Sequence, residues 1–126
     1  MRKLSKYILV VDDHFGVRLF IHKALEESGY IVKAVASGPE CLRLATSDNS
    51  PSLILLDQNM PVMTGLQVLT LLAQNDQAKH IPVIMISAES DIEIAARCLG
   101  ARNILSKPLE LDILLKTVEV VLEEVS

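Results

Sequence analysis

The stretch LILLDQNMP, residues 53–61, decides how the chain folds. Leu53, Ile54, Leu55 and Leu56 run without alternation, the pattern of a strand buried on both faces. The run stops on Asp57, and Pro61 keeps a regular helix from starting at once. A carboxylate at the end of a hydrophobic wall is either a turn former or a functional group. The flanking sequence has to decide which.

Working outward, the same kind of buried run occurs at Tyr7–Val11, where Asp12 and Asp13 stop it, and at Val83–Ser87, introduced by Pro82. Tyr30–Ala36 reads as a further strand, and Asn103–Leu105 as a short last one ended by Lys107–Pro108. Amphipathic segments separate them. Val17, Phe20, Ile21, Ala24 and Leu25 recur at helical spacing before Gly29. Ser37–Gly38–Pro39 opens a helix to about residue 45, with proline in its first turn. Gly65 leads a Leu-rich helix ending near Asn75. A helix over 90–99 presents Ile92, Ala95, Ala96 and Leu99, and a final helix from about Leu109 to Glu124 carries Leu111, Leu114, Val118, Val121 and Val125. Strict strand–helix alternation predicts right-handed βαβ units. The fold class is α/β, a doubly wound five-stranded parallel sheet with helices on both faces, in one domain spanning residues 1–126.

Composition bounds the function. Half of the 126 residues are apolar and few are aromatic, so Leu, Ile, Val and Ala build the core. A net charge of −4 argues against nucleic-acid binding through a basic surface. Cys41 and Cys98 form no metal-binding spacing and read as buried or half-buried free thiols in a reducing compartment. The apolar run at Tyr7–Val11 is too short for a signal peptide or a membrane span, which points to a soluble cytoplasmic protein.

In sheets of this kind ligands bind at the carboxyl ends of the strands, where strand order reverses. Those ends carry Asp12–Asp13, Asp57, Ser87 and Lys107. Each has an ordinary explanation alone: aspartate as turn former or cap, Ser87 as a cap for the helix near Ser90, Lys107 as a solvated charge. Their joint placement is harder to dismiss. Three carboxylates in one pocket repel one another unless a cation intervenes, and an all-oxygen set suits Mg²⁺ or Mn²⁺. Zn²⁺ fits poorly, since no His or Cys belongs to the set; His14 is adjacent but is expected to point to solvent. His22 and His80 read as surface or packing residues. A metal beside a carboxylate, an ammonium and a hydroxyl suits phosphoryl transfer with the carboxylate as nucleophile. Neither GxGxxG nor GxxxxGK[ST] occurs, so the donor need not be a nucleotide bound here.

ILVVDD, LILLDQNMPVMTG, PVIMISA and the KP pair, at these spacings, resemble the receiver domain of bacterial two-component response regulators, over nearly the whole chain. The resemblance implies a flavodoxin-like strand order 2-1-3-4-5 and a phosphoacceptor role for Asp57, loaded from a phosphohistidine on a sensor histidine kinase or histidine phosphotransfer protein. It implies Mg²⁺ held by Asp13, Asp57 and the backbone carbonyl of Asn59, with Asp12 acting mainly through bound water. It makes Lys107 the partner of the phosphoryl group and Ser87 a hydroxyl that moves toward it. Asn59 and Glu89, both polar, resemble the pairing of fast-hydrolysing chemotaxis regulators. The family often carries an aromatic switch three residues before the lysine; here that residue is Ile104, with no ring to swing. A strand beginning close to Met1 favours a free-standing or N-terminal receiver. Ile94, Cys98, Ile104, Ile113 and Val120 mark a candidate homodimer or target surface across the fourth helix, fifth strand and fifth helix. Two rivals stand beside this reading. A dehalogenase-like aspartyl phosphatase would want a second aspartate two residues after Asp57, where Asn59 stands. A phosphorylation-independent interaction domain of the same fold would need none of the pocket.

Overall fold

The computed structural model describes residues 6–125. Five strands, β1 (Ile8–Val11), β2 (Val32–Val35), β3 (Leu53–Asp57), β4 (Val83–Ser87) and β5 (Asn103–Ser106), form one parallel sheet in the order 2-1-3-4-5. Five helices connect and close it: α1 (Phe15–Glu27), α2 (Gly38–Ala45), α3 (Gly65–Ala73), α4 (Glu93–Cys98) and α5 (Leu111–Val125). The chain leaves β1 for β2 on one side and crosses back to β3 on the other. The order therefore reverses between the carboxyl ends of β1 and β3.

Strand alternation sorts the core into two layers. Leu9, Val11, Ile54, Leu56, Val83 and Met85 face α2, α3 and α4, where Cys41, Ala45, Val68, Leu72 and Ala96 meet them. Ile8, Val10, Leu53, Leu55, Ile84 and Ile86 face α1 and α5 and pack on Ile21, Leu25, Leu114, Val118 and Val121. Each of those α5 side chains contributes about 1.5–3 kcal/mol by its burial. Local chemistry starts the helices where expected. Ser37 caps α2 by accepting from the Glu40 amide, and Thr64 with Gln67 forms a reciprocal capping box on α3.

The helical stripes are narrower than the sequence pattern. Phe20 on α1 is 46% exposed, Ala95 on α4 is exposed, and Leu111 and Val125 on α5 are 42% and 38% exposed. A helix lying over a sheet buries only the side chains above it, so members at the margin of the stripe or at the helix ends stay in water. The segment after β4 is not one helix over 90–99 but a 3₁₀ turn, Ser90–Ile92, followed by α4. The second strand is shorter than Tyr30–Ala36, because β2 lies at the sheet edge with only β1 to pair with. Helix α5 starts at Leu111, after Pro108, instead of Leu109. Cys41 is buried as expected, whereas Cys98 is exposed. Among the described residues no helix is long and apolar enough to cross a membrane.

Candidate functional site

Register brings the site together. Val11 pairs with Leu56, so Asp12, the next residue of the first chain segment, lies level with Asp57 at the reversal point of the sheet. Asp57 pairs with Ile86, and Ser87 pairs with Ser106, which precedes Lys107. Continuing the alternation, Asp12, Asp57 and Lys107 share parity with Val10, Leu55 and Leu105, the layer under α1 and α5. Their side chains do meet. Lys107 Nζ lies 2.7 Å from Asp57 Oδ1 and 3.6 Å from Asp12 Oδ2.

Both carboxylates are deeply buried, Asp12 and Asp57 each at 1% exposure, while Asp13 and Lys107 are half-buried at the rim. Such burial normally demands partners. Yet Asp13 Oδ1 and Asp57 Oδ2 take no hydrogen bond, and Asp57 Oδ1 and Asp12 Oδ2 face only the Lys107 ammonium. Burial pushes the Asp57 pKa up; the Lys107 contact pulls against it, and the charges of Asp12 and Asp13 push it further up. For Lys107, burial acts to lower the pKa, but the bond and charge of Asp57 and the charge of Asp12 outweigh it, and the net shift is upward. Carboxylate oxygens with unmet bonding capacity, converging in a pocket open at its rim, suit a hard divalent cation.

Ser87 and Asn59 stand differently. Ser87 has the opposite strand parity, that of Val83 and Met85, and its hydroxyl accepts the Glu89 amide at 2.9 Å. It is buried at the sheet rim; its hydroxyl bonds neither Asp57 nor Lys107, while its carbonyl accepts the Lys107 backbone amide at 3.0 Å. It closes the turn before the 3₁₀ segment instead of capping a helix at Ser90. Asn59 is exposed on the loop after β3.

The family model described as the response regulator receiver domain matches residues 8–119. The chain belongs to that family. Among curated proteins, the receiver is 38% identical over 120 residues to the transcriptional regulatory protein PrrA of Mycobacterium tuberculosis, covering 94% of this chain and 50% of that protein. It is 28% identical over 109 residues to sporulation initiation phosphotransferase F of Bacillus subtilis, covering 86% and 87%. Among solved structures, the chemotaxis response regulator CheY4 of Vibrio cholerae superposes with a TM-score of 0.85 at 32% identity, covering 94% of this chain and 99% of that one. The chain spans half the length of PrrA and of the Oryza sativa two-component response regulator ORR7. As a receiver, it is a phosphoacceptor signalling module of two-component systems, and neither a phosphatase nor a phosphorylation-independent reading is favoured.

Several residues shape this receiver's pocket in ways that sequence reasoning did not assign to them. Gly65 is needed at the start of α3 because a Cβ there would lie 2.6 Å from the Asp57 carbonyl oxygen and 2.9 Å from Gln58 Cα. Gln58 is buried, and its side-chain oxygen accepts the Leu66 amide at 2.8 Å, tying the end of β3 to α3. Arg18 donates to the Asp12 carbonyl at 2.8 Å and holds the β1–α1 turn. Val62 has φ 71°, the left-handed region, and is 97% exposed. His14 is exposed as expected, but it is not remote from the acidic pair. Its ring is 66% exposed, but Nδ1 lies 3.5 Å from Asp12 Oδ1 and 3.3 Å from Asp13 Oδ1. A histidine therefore does lie beside the acidic pair, because in the turn before α1 the Asp12 carboxylate accepts the His14 backbone amide at 2.8 Å.

Proposed function

We propose that Asp57 is the phosphoacceptor and that it takes its phosphoryl group from a phosphohistidine on a sensor histidine kinase or histidine phosphotransfer protein. The observation that carries this is a carboxylate buried to 1% exposure at the end of a central strand, 2.7 Å from a lysine ammonium. Burial and the neighbouring carboxylates raise the energy of the Asp57 anion, and a group held in that state gains by bonding to an electrophilic phosphorus. In the transfer an Asp57 oxygen forms the new O–P bond. The P–N bond of the donor breaks, its electron pair leaving with the imidazole, which takes up a proton. Lys107 stands where it can neutralise charge on the transferred group. A divalent cation, Mg²⁺ in this reading, supplies further charge neutralisation and orientation when bound. Asp12, Asp13 and Asp57 would hold it, with the Asn59 backbone carbonyl as a further ligand, and the unmet oxygens of the three aspartates support that set. Ser87 would turn from the Glu89 amide toward the phosphoryl group.

The same reading takes the whole 1–126 chain as one cytoplasmic receiver unit that catalyses its own phosphorylation and dephosphorylation. An apolar groove of about 360 Å³ lined by Val17, Phe20, Pro108 and Leu109 beside Lys107 offers the phosphodonor a contact next to the pocket. Output through a homodimer or target would use the surface of α4, β5 and α5, where Ile94 is 79% and Ile113 50% exposed, with Cys98 exposed and Ile104 and Val120 half-buried. Asn59 and Glu89 are both exposed, which fits ready access of water and a short-lived phosphoryl group.

The test is intact-mass spectrometry after incubation with acetyl phosphate and Mg²⁺. Wild type should gain one phosphoryl group, and Asp57→Asn should gain none while melting as a folded protein. Equal labelling of Asp57→Asn at another residue defeats the assignment. Labelling that is undiminished in chelator defeats the cation reading.

A further inference from the structure

We propose that the Gln58 side chain is a positioning residue of the phosphoacceptor pocket: by holding the start of α3 against the end of β3, it fixes the direction of the Asn59 carbonyl relative to the Asp57 carboxylate. The inference rests on the reading of Asp57 as phosphoacceptor and of the Asn59 carbonyl as a cation ligand, and it adds what holds those two groups in place.

Strand parity sends Gln58 away from the pocket. It continues the alternation of Ile54 and Leu56, which face the apolar layer under α2, α3 and α4. Gln58 is 8% exposed there. Methionine would fill the same place without a polar group to satisfy; glutamine instead gives this layer an acceptor. Its Oε1 accepts the Leu66 N–H at 2.8 Å. Its backbone carbonyl accepts the Gly65 N–H at 3.0 Å and the Met60 N–H at 3.2 Å. The first amides of a helix have no partner inside it, so acceptors outside decide where its start is held. The amides of Gly65 and Leu66, the first two residues of α3, both end on Gln58, and that of Gln67, the third, ends on the Thr64 hydroxyl. The residue next to Asp57 thus anchors the helix.

The loop between β3 and α3 therefore leaves Gln58 and returns to it. Asn59, Pro61 and Val62 are exposed, so packing fixes little of it. The Met60–Gln58 bond closes a γ-turn on Asn59 and sets where its carbonyl points. The first turn of α3 also rests on Asp57 itself, since a Cβ at Gly65 would lie 2.6 Å from the Asp57 carbonyl oxygen. A shift of that turn moves the backbone on which both pocket groups are mounted. Without Oε1 the Leu66 N–H loses its acceptor, and a single bond, from Gly65, is left to hold the helix start to β3. The Asn59 carbonyl then samples a wider range of directions. Groups that orient metal ligands from behind typically cost about 10–100-fold in affinity or activity when removed.

The experiment compares wild type with Gln58→Met and Gln58→Val, which lack the acceptor, and with Gln58→Glu, which keeps one. All are measured at a temperature where circular dichroism shows each folded. Amide hydrogen exchange in chelator reads the tie itself. The Leu66 amide should exchange about fivefold faster or more in the Met and Val variants and return toward wild type in Gln58→Glu. Calorimetric titration of Mg²⁺ reads the consequence: affinity should fall about tenfold in Met and Val and recover to within about threefold of wild type, or beyond it, in Glu. The exchange measurement, made without metal, separates the acceptor from the added charge of glutamate. A merely structural side chain would lower the Tm of the Met and Val variants and leave the Mg²⁺ affinity of the folded protein unchanged. That result overturns the proposal, as does weakened affinity with unchanged Leu66 exchange, or equal weakening in Glu. If Gln58→Met does not fold, Gln58→Val carries the test, because a β-branched side chain suits the strand extension there. Wild type labelled at Asp57 by acetyl phosphate, with Mg²⁺ affinity indifferent to Gln58, leaves the phosphoacceptor reading standing and this inference refuted. Wild type that neither binds Mg²⁺ nor is labelled at Asp57 removes both.

Discussion

Asp57→Asn should make the cation-free protein more stable, which is the reverse of what removing a buried ion-pair partner usually does. The substitution keeps the shape of the side chain and removes one of three clustered negative charges. Asp57 is 1% exposed, and one of its oxygens has no partner at all. A buried polar group left without its bonds costs about 1–3 kcal/mol, and more when charged. The substitution does not strand Lys107, because Asp12 remains 3.6 Å from its ammonium. We therefore expect a gain of about 1–3 kcal/mol near neutral pH in chelator. With about 2.1 cal/mol/K of unfolding entropy per residue, 126 residues turn that gain into a Tm rise of about 4–11 °C. The pH dependence carries the sharper test. The folded-state pKa of Asp57 is raised above its ordinary 3.8, so the folded chain holds this proton more tightly than the unfolded chain does. Its contribution is fully favourable below 3.8 and is lost as pH rises through the raised value. The gap between the two proteins should thus be small at low pH and widen toward neutrality. Thermal melts followed by circular dichroism, from about pH 4 to about pH 8, measure it. Adding Mg²⁺ should then narrow the gap by raising the wild-type Tm. A less stable Asp57→Asn at neutral pH, or a gap that does not vary with pH, would refute the electrostatic account of the pocket.

Gly65→Ala should destabilise the receiver by at least about 1–3 kcal/mol through overpacking, because the new Cβ would meet the Asp57 carbonyl oxygen at 2.6 Å and backbone there cannot yield cheaply; an unchanged urea midpoint would contradict this. Val62→Asn should stabilise it by about 1 kcal/mol, since a β-branched residue held at φ 71° carries a cost that asparagine relieves, and the denaturant midpoint should rise without a change in m. Cys98, exposed, should react at once with a thiol reagent such as Ellman's. Cys41, buried and with its pKa pushed up to about 12 by that burial, should stay silent until the protein is unfolded, and two fast-reacting thiols in the native protein would show the α2 packing to be wrong.

What the residues determined on their own is local and periodic. Four consecutive apolar residues at Leu53–Leu56 can be buried on both faces only in a covered parallel sheet, and the strand–helix alternation then leaves few topologies. Caps such as Ser37 and Thr64 act within one helical turn, so they too are legible in a short window. The ends of the strands could be named in the same way, which is why Asp12, Asp57, Ser87 and Lys107 stood out before any contact was known. Tertiary structure alone decided which of them touch. Strand register sets Asp12 level with Asp57, and strand parity turns Lys107 toward both while turning the Ser87 hydroxyl to the other layer. Parity and register depend on pairing between segments dozens of residues apart, and no local pattern encodes them. The margins of the helices were decided the same way: Phe20, Ala95, Leu111 and Val125 fit the helical period, but the sheet beneath is too narrow to cover them. His14 shows the limit most clearly. Its sequence neighbours suggest an exposed ring, and the ring is exposed, yet only the turn of the chain into α1 brings Nδ1 to 3.3 Å from Asp13.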